Sequence, residues 1–151
     1  AILGVREGLA LAAVFTVAEL AGLALVVWAG FGAEASPNFT VPEMPVWPGV
    51  GAAAVLAFFA FIGFEDIVNM AEEVENPTRT MPRAILLSLL ITSVIYALVS
   101  FAAIRAVPLE ELAASDRPLV LVWQARHDTG ADLFALIAVV AALNGVLAQY
   151  I

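Results

Sequence analysis

Cysteine is absent from the 151 residues, which excludes disulfides and thiolate metal sites and leaves the redox compartment unreadable. Lysine is absent as well, so all six cations are arginines. Charged residues make up only 13% of the chain, against roughly 25% in a soluble domain. The net charge is −8 and no basic stripe occurs, so a nucleic-acid partner is excluded. The single histidine, His127, stands alone in a loop, too little for a metal centre. The helical runs hold no histidine or cysteine to join their acids, so no catalytic residue is assigned.

What fills the space is apolar. Hydrophobic residues are 63% of the sequence and the mean hydropathy is +1.00. They gather into four runs: Leu9 to Gly32, broken by Thr16 and Glu19; Val50 to Ala71, broken by Glu65, Asp66 and Asn69; Ala84 to Val107; and Leu133 to Ile151. Each approaches the roughly 20 residues that span a bilayer as a helix, and none alternates as a barrel strand does. The expected class is an all-α, multi-pass membrane protein forming one unit, 1–151, with helices at about 9–32, 49–75, 83–107 and 132–151. Pro48 suits the first turn of the second helix, Asn76 before Pro77 suits its end, and Pro82 suits the start of the third. Within the long connection 108–131, Leu109 to Ala114 suits a short surface helix. The sequence starts at Ala1 and its last run reaches Ile151 without a polar flank, so a piece of a longer membrane protein is expected.

Arginine placement gives an orientation. Arg6, Arg79 and Arg83 mark the cytoplasmic side, which makes 76–82 a cytoplasmic loop; 33–48, without a cation, and 108–131 are then outer loops. The expected location is a cell membrane, the bacterial inner membrane or a plasma membrane.

The chemistry gathers where the second run meets its acids, at Phe58-Phe59-Ala60-Phe61-Ile62-Gly63-Phe64-Glu65-Asp66. Ionisable groups at membrane depth are costly and default to a functional role. Gly63 weakens a helix by about 0.8–1 kcal/mol relative to alanine. Beyond it Glu65, Asn69, Glu72 and Asn76 fall on one helical face. Unwinding at Ile62-Gly63-Phe64 frees backbone groups for a solute and turns a positive half-helix end towards an anion such as a carboxylate. Phe59 and Phe61 flank this turn and suit a thin gate; ordinary packing accounts for phenylalanine equally well. The plainer alternative makes Glu65-Asp66 the end of a short span of about 16 residues. Glu72, Glu73 and Glu75 suit an interfacial end, solvated or paired with Arg79 and Arg83. Glu19 lies near the centre of the first run, where an unpaired ionised carboxylate costs several kcal/mol. It suits either a coupling ligand for Na⁺ or a proton, together with Glu65, or a structural hydrogen-bond partner on a neighbouring helix. No organic cofactor is called for.

The ordered set Phe59-Ala60-Phe61-Ile62-Gly63-Phe64-Glu65, Ala71-Glu72-Glu73, Asn76-Pro77, Arg79, Pro82 and Ala84-Ile85 resembles the amino acid–polyamine–organocation transporter superfamily. Gly4-Val5-Arg6-Glu7 and Val107-Pro108-Leu109-Glu110-Glu111-Leu112 extend the resemblance to nearly the whole chain. It implies about the fifth to eighth helices of about twelve, in a fold whose first ten form two inverted five-helix repeats. It implies a discontinuous sixth helix near Gly63, with Ile62, Gly63 and Phe64 as the unwound substrate-binding turn, Phe59 at an aromatic gate and Glu65 at an acid tied to proton sensing or helix linkage. Glu72, Glu73, Asn76, Pro77, Arg79 and Pro82 become the motif of the next cytoplasmic loop. In several members the fifth helix carries a lysine near the place of a sodium ion in related folds. Here the comparable position is Glu19, so the coupling mechanism is not carried over.

The function so implied is secondary active transport of amino acids or related amines by alternating access, without chemistry on the substrate. The partners are the substrate, the bilayer and the remaining helices of the same transporter. A polytopic membrane enzyme using the paired acids, or a non-transporting membrane scaffold subunit, are the alternatives.

Overall fold

The structure, a computed structural model, describes residues 5–36, 39, 44, 46–62 and 74–150. Among them are six helices and no strand: α1 (Val5–Gly32), α2 (Trp47–Ala60), α3 (Pro77–Ala106), α4 (Leu109–Ala114), α5 (Pro118–Gln124) and α6 (Ala131–Tyr150). α1 contributes the 23-residue apolar stretch Ala10–Gly32 and α3 is 30 residues long; both are long and apolar enough to cross a membrane. At 1.5 Å per residue they measure about 35 and 45 Å, against a hydrocarbon core of about 30 Å. α2 has 14 residues and spans only about 21 Å.

Two compact units can be distinguished, Ala1–Phe39 with Ala97–Ile151, and Thr40–Tyr96. In the first, α1 packs on α5 and α6. α1 is apolar all round, so periodicity does not decide its inner face; small side chains do. Val26, Ala29, Gly30 and Ala33 are buried on one face, one to two turns apart. A Cβ on Gly22 would stand 2.9 Å from the Ile137 methyl of α6, and one on Gly30 would stand 2.7 Å from the Ala102 carbonyl oxygen. Lipid tails are as apolar as leucine, so helices gain little by hiding oil from lipid and associate through such close approach. The core is Val26, Ala33, Ala106, Val107, Val122 and Phe134.

The end of α1 is held from outside. Nη1 of Arg105 donates to the carbonyls of Gly30 at 2.7 Å and Ala33 at 2.8 Å. Arg126 donates to the Trp28 carbonyl at 3.1 Å. α1 has no basic residue in its own last turn, so these guanidiniums supply the positive charge and donors that a helix C-terminus wants.

The start of α3 and the connection after it differ from the sequence expectation. α3 opens at Pro77, and Pro82 lies inside it. Asn76 adopts a left-handed φ of 54°, and its carbonyl accepts both Arg79 N–H and Thr80 N–H at 3.1 Å. That turn lets Pro77 take the first helical position, where its missing N–H costs nothing. Pro82 deprives only the exposed Thr78 of an amide partner, one turn into the helix. The connection 108–131 also holds more structure than expected. α4 occupies the anticipated Leu109–Ala114, but Pro118 starts α5, which drives Val122 fully into the core.

Gly30→Ala is expected to destabilise the full-length protein by about 1–3 kcal/mol, because the new methyl must displace the Ala102 backbone. Thermal unfolding in detergent checks this, and an unchanged Tm contradicts so close a crossing.

Candidate functional site

The second apolar run is described as far as a helix end. α2 stops at Ala60, and Phe61 caps it with φ −99° and ψ 0°, outside the helical region. Phe61 N–H bonds the Phe58 carbonyl at 3.1 Å, and Ile62 N–H bonds that of Phe59 at 3.3 Å. These are tight i→i−3 closures, the form in which an α-helix winds down. The Ala60 carbonyl accepts the Tyr96 hydroxyl of α3 at 3.1 Å. The Phe61 ring sits edge-on to the Tyr96 ring, with centroids 5.4 Å apart. Phe59 is 61% exposed and meets Phe58 edge-to-face at 6.1 Å, so its ring is not held in a core. Gly63, Phe64, Glu65, Asp66, Glu72 and Glu73 lie outside the described residues.

Farther along the same unit, Asn76, Pro77 and Arg79 form one turn at the start of α3. The Thr80 hydroxyl adds a bond to the Glu75 carbonyl at 3.0 Å. Arg79 and Pro82 are exposed, and Met81 between them is buried.

Glu19 belongs to the other unit. It is half-buried on α1 and faces a cavity of about 680 Å³ walled by Leu23 and Val26 of α1, Leu119 of α5, and Phe134, Ile137 and Ala141 of α6. Asp116 and Arg117 lie among its lining residues. Oε1 of Glu19 is buried and makes no hydrogen bond among the described residues. One turn away, Asn144 of α6 donates to the Thr16 hydroxyl at 3.3 Å, which in turn donates to the Ala12 carbonyl at 3.0 Å. The Asn144 Oδ1 is likewise buried without a partner. The seam of α1 and α6 thus presents two buried acceptor oxygens with no donor among the described residues, an arrangement open to a cation, a proton or a donor from another helix.

With this geometry in view, the comparison with known proteins is informative. The sequence model of the amino acid permease family matches residues 1–151. The chain belongs to the amino acid permease family. Family and relatives are transporters, not enzymes. The chain is 40% identical over 89 residues to the branched-chain amino acid permease BcaP of Bacillus subtilis, covering 58% of this chain and 19% of that protein. It is 32% identical over 144 residues to the methylthioribose transporter of Bacillus subtilis, covering 95% of this chain and 30% of the relative. To the cationic amino acid transporter 4, vacuolar, of Arabidopsis thaliana it is 27% identical over 152 residues, covering 97% and 25%. The chain therefore spans between about a fifth and a third of the length of these permeases. Its long apolar helices fit the membrane setting of a permease.

Three residues in these sites escape the sequence. Tyr96 reads there as one aromatic in an apolar run; a lone hydroxyl-bearing ring among aliphatics is the available hint. Asn144 and Thr16 read as isolated polar interruptions of different runs.

Tyr96→Phe keeps the ring contact with Phe61 and removes only the donor to Ala60. The expected loss is about 0.5–1.5 kcal/mol, because the carbonyl is left without its hydroxyl. Thermal unfolding of the full-length permease together with the substrate KM reports it. Wild-type stability and wild-type KM together would remove Tyr96 from this role.

Proposed function

We propose that this chain is the part of a secondary active transporter that supplies half of a midplane site for an amino acid or related amine. The observation that carries this is the termination of α2 at Ala60, whose carbonyl accepts the Tyr96 hydroxyl, ahead of Ile62-Gly63-Phe64-Glu65 in the sequence. A half-span of 14 residues that ends in mid-membrane leaves backbone groups available to a solute, and irregular backbone is tolerated there only beside a cavity or within protein. In this reading Ile62, Gly63 and Phe64 contact the substrate and Phe59 and Phe61 close over it. The motif Glu72, Glu73, Asn76, Pro77, Arg79 and Pro82 forms the cytoplasmic turn into α3. The helices belong to two inverted five-helix repeats in a bacterial inner or plasma membrane, and transport proceeds by alternating access.

Relatives named for branched-chain and cationic amino acids support the substrate class. Coupling, by Na⁺ or a proton, runs through Glu19 and Glu65. For Glu19 the support is its unpartnered buried oxygen beside the Thr16–Asn144 bond.

The test is uptake of labelled branched-chain, cationic and small neutral amino acids by the reconstituted full-length protein, with imposed Na⁺ or proton gradients. Gradient-dependent accumulation of at least one class is expected, and none across the panel counts for the scaffold alternative. Glu19→Ala is expected to lower gradient-driven uptake at least about tenfold while folded protein persists. Glu65→Gln is expected to flatten the pH profile, and an unaltered profile removes Glu65 from coupling.

A further inference from the structure

The Gly32 end of α1 carries a notch that the transport reading does not use. Trp28 and Gly32 stand one turn apart on the same helical face. The guanidinium of Arg126 lies 3.9 Å from the centre of the Trp28 ring and donates to the Trp28 carbonyl at 3.1 Å. A Cβ on Gly32 would overlap that guanidinium. Gly32 is still helical, so its missing side chain makes room for Arg126 and does not serve a left-handed turn. Arg126 itself belongs to a stiff turn. Its N–H and that of His127 donate to the Trp123 carbonyl at 3.1 and 3.0 Å, and Trp123 Nε1 donates to the Thr129 carbonyl at 2.7 Å. Gly130 closes the turn with φ +94°, where a Cβ would come within 3.1 Å of Trp123 Nε1. The Trp123 ring packs 4.9 Å from that of Phe134. A force on Arg126 therefore reaches all of α5, which is seven residues long.

Leu119 and Val120 of α5 wall the cavity that Glu19 faces. Val26 of α1 lines the same cavity yet is only 1% exposed, and it shares its core with Val122 of α5. Burial of Val122 holds α5 without fixing its direction, because apolar contact is non-directional. Arg126 adds direction: a planar cation over one ring and a donor on one carbonyl. We propose that Arg126 is a positioning residue that holds α5 as a wall of the Glu19 cavity, with the Trp28–Gly32 notch as its seat. With the seat lost, α5 stays attached through Val122 but swings, and the cavity wall opens at Val26. Arg105 is no substitute, since its Nη1 is engaged by the Gly30 and Ala33 carbonyls. The proposal goes beyond the transport reading and stands apart from it, because the wall closes on Val26 whether or not Glu19 binds a coupling ion.

The test places a single cysteine reporter in the full-length permease, freed of other cysteines and held in detergent. Val26→Cys reports on the cavity wall, and Met81→Cys, buried in the other unit, is the control. The readout is the rate of modification by a charged, water-soluble thiosulfonate, since a buried thiol reacts only when its cover opens. Arg126→Ala is expected to raise the Val26→Cys rate about fivefold or more, the scale of one cation–π contact with one hydrogen bond, and to leave Met81→Cys within about twofold. Gly32→Ala is expected to do the same, because its methyl drives the flexible end of Arg126 from the notch. The double variant is expected to match the larger single effect, because both changes remove one fixture. An unchanged Val26→Cys rate in Arg126→Ala overturns the proposal. Multiplying effects in the double variant, or an equal rise at Met81→Cys, mark general loosening and overturn it as well. Should either single variant fail to fold, Trp28→Leu takes its place, with the same lack of additivity expected.

Discussion

Backbone carbonyls at helix ends dominate this structure. Where a helix end is shielded from water, its carbonyls need a donor from another side chain or a tighter turn. α1 receives two guanidiniums, Arg105 and Arg126, and α2 receives the hydroxyl of Tyr96. The packing follows from these fixtures. Once Arg105 binds Gly30 and Ala33, α1 and the Ala106 end of α3 must come close enough that only glycine fits at position 30. The same accounting separates polar groups that are paired from those that are not. Tyr96, Arg105 and Arg126 have partners; Glu19 Oε1 and Asn144 Oδ1 have none among the described residues.

Much of the helical layout could be read from composition and run length. A 23-residue apolar stretch announces itself, and α1 and α6 lie close to the limits expected of them. α5 is hidden because Pro118 and the short run Leu119 to Trp123 look alike whether the chain forms a loop or about two turns of helix. Burial of Val122 is a tertiary fact with no local signature. The start of α3 was misplaced for a related reason. Two prolines, Pro77 and Pro82, compete for the first helical position, and the choice turns on a backbone sign at Asn76 that side-chain pattern does not encode.

The candidate site was legible in part. Gly63 and the acids beyond it stand out because charge at membrane depth is expensive. The hydroxyl that reaches the end of α2 comes from a residue 36 positions away in sequence, and no spacing rule links Ala60 to Tyr96. Arg105 and Arg126 were a different difficulty. Arg126 lies in a connection expected on the outer side and Arg105 at its edge, and both sit awkwardly with an orientation drawn from arginine counts. Their bonds to α1 give them a structural duty that such counts ignore. The permease family match then fixes the class of protein, which helix ends by themselves do not.

The left-handed turn at Asn76 bears on how this family's chains can vary. A residue before proline is pushed away from the right-handed helical region, and among residues with a side chain asparagine is one of the few that enters the left-handed one readily. Position 76 is therefore filtered by handedness: glycine or aspartate could substitute, whereas a β-branched residue could not without moving the start of α3. The Asn-Pro pair that helps make this sequence recognisable is then a stereochemical stop-and-start signal. It would persist in a permease whatever solute that permease carries.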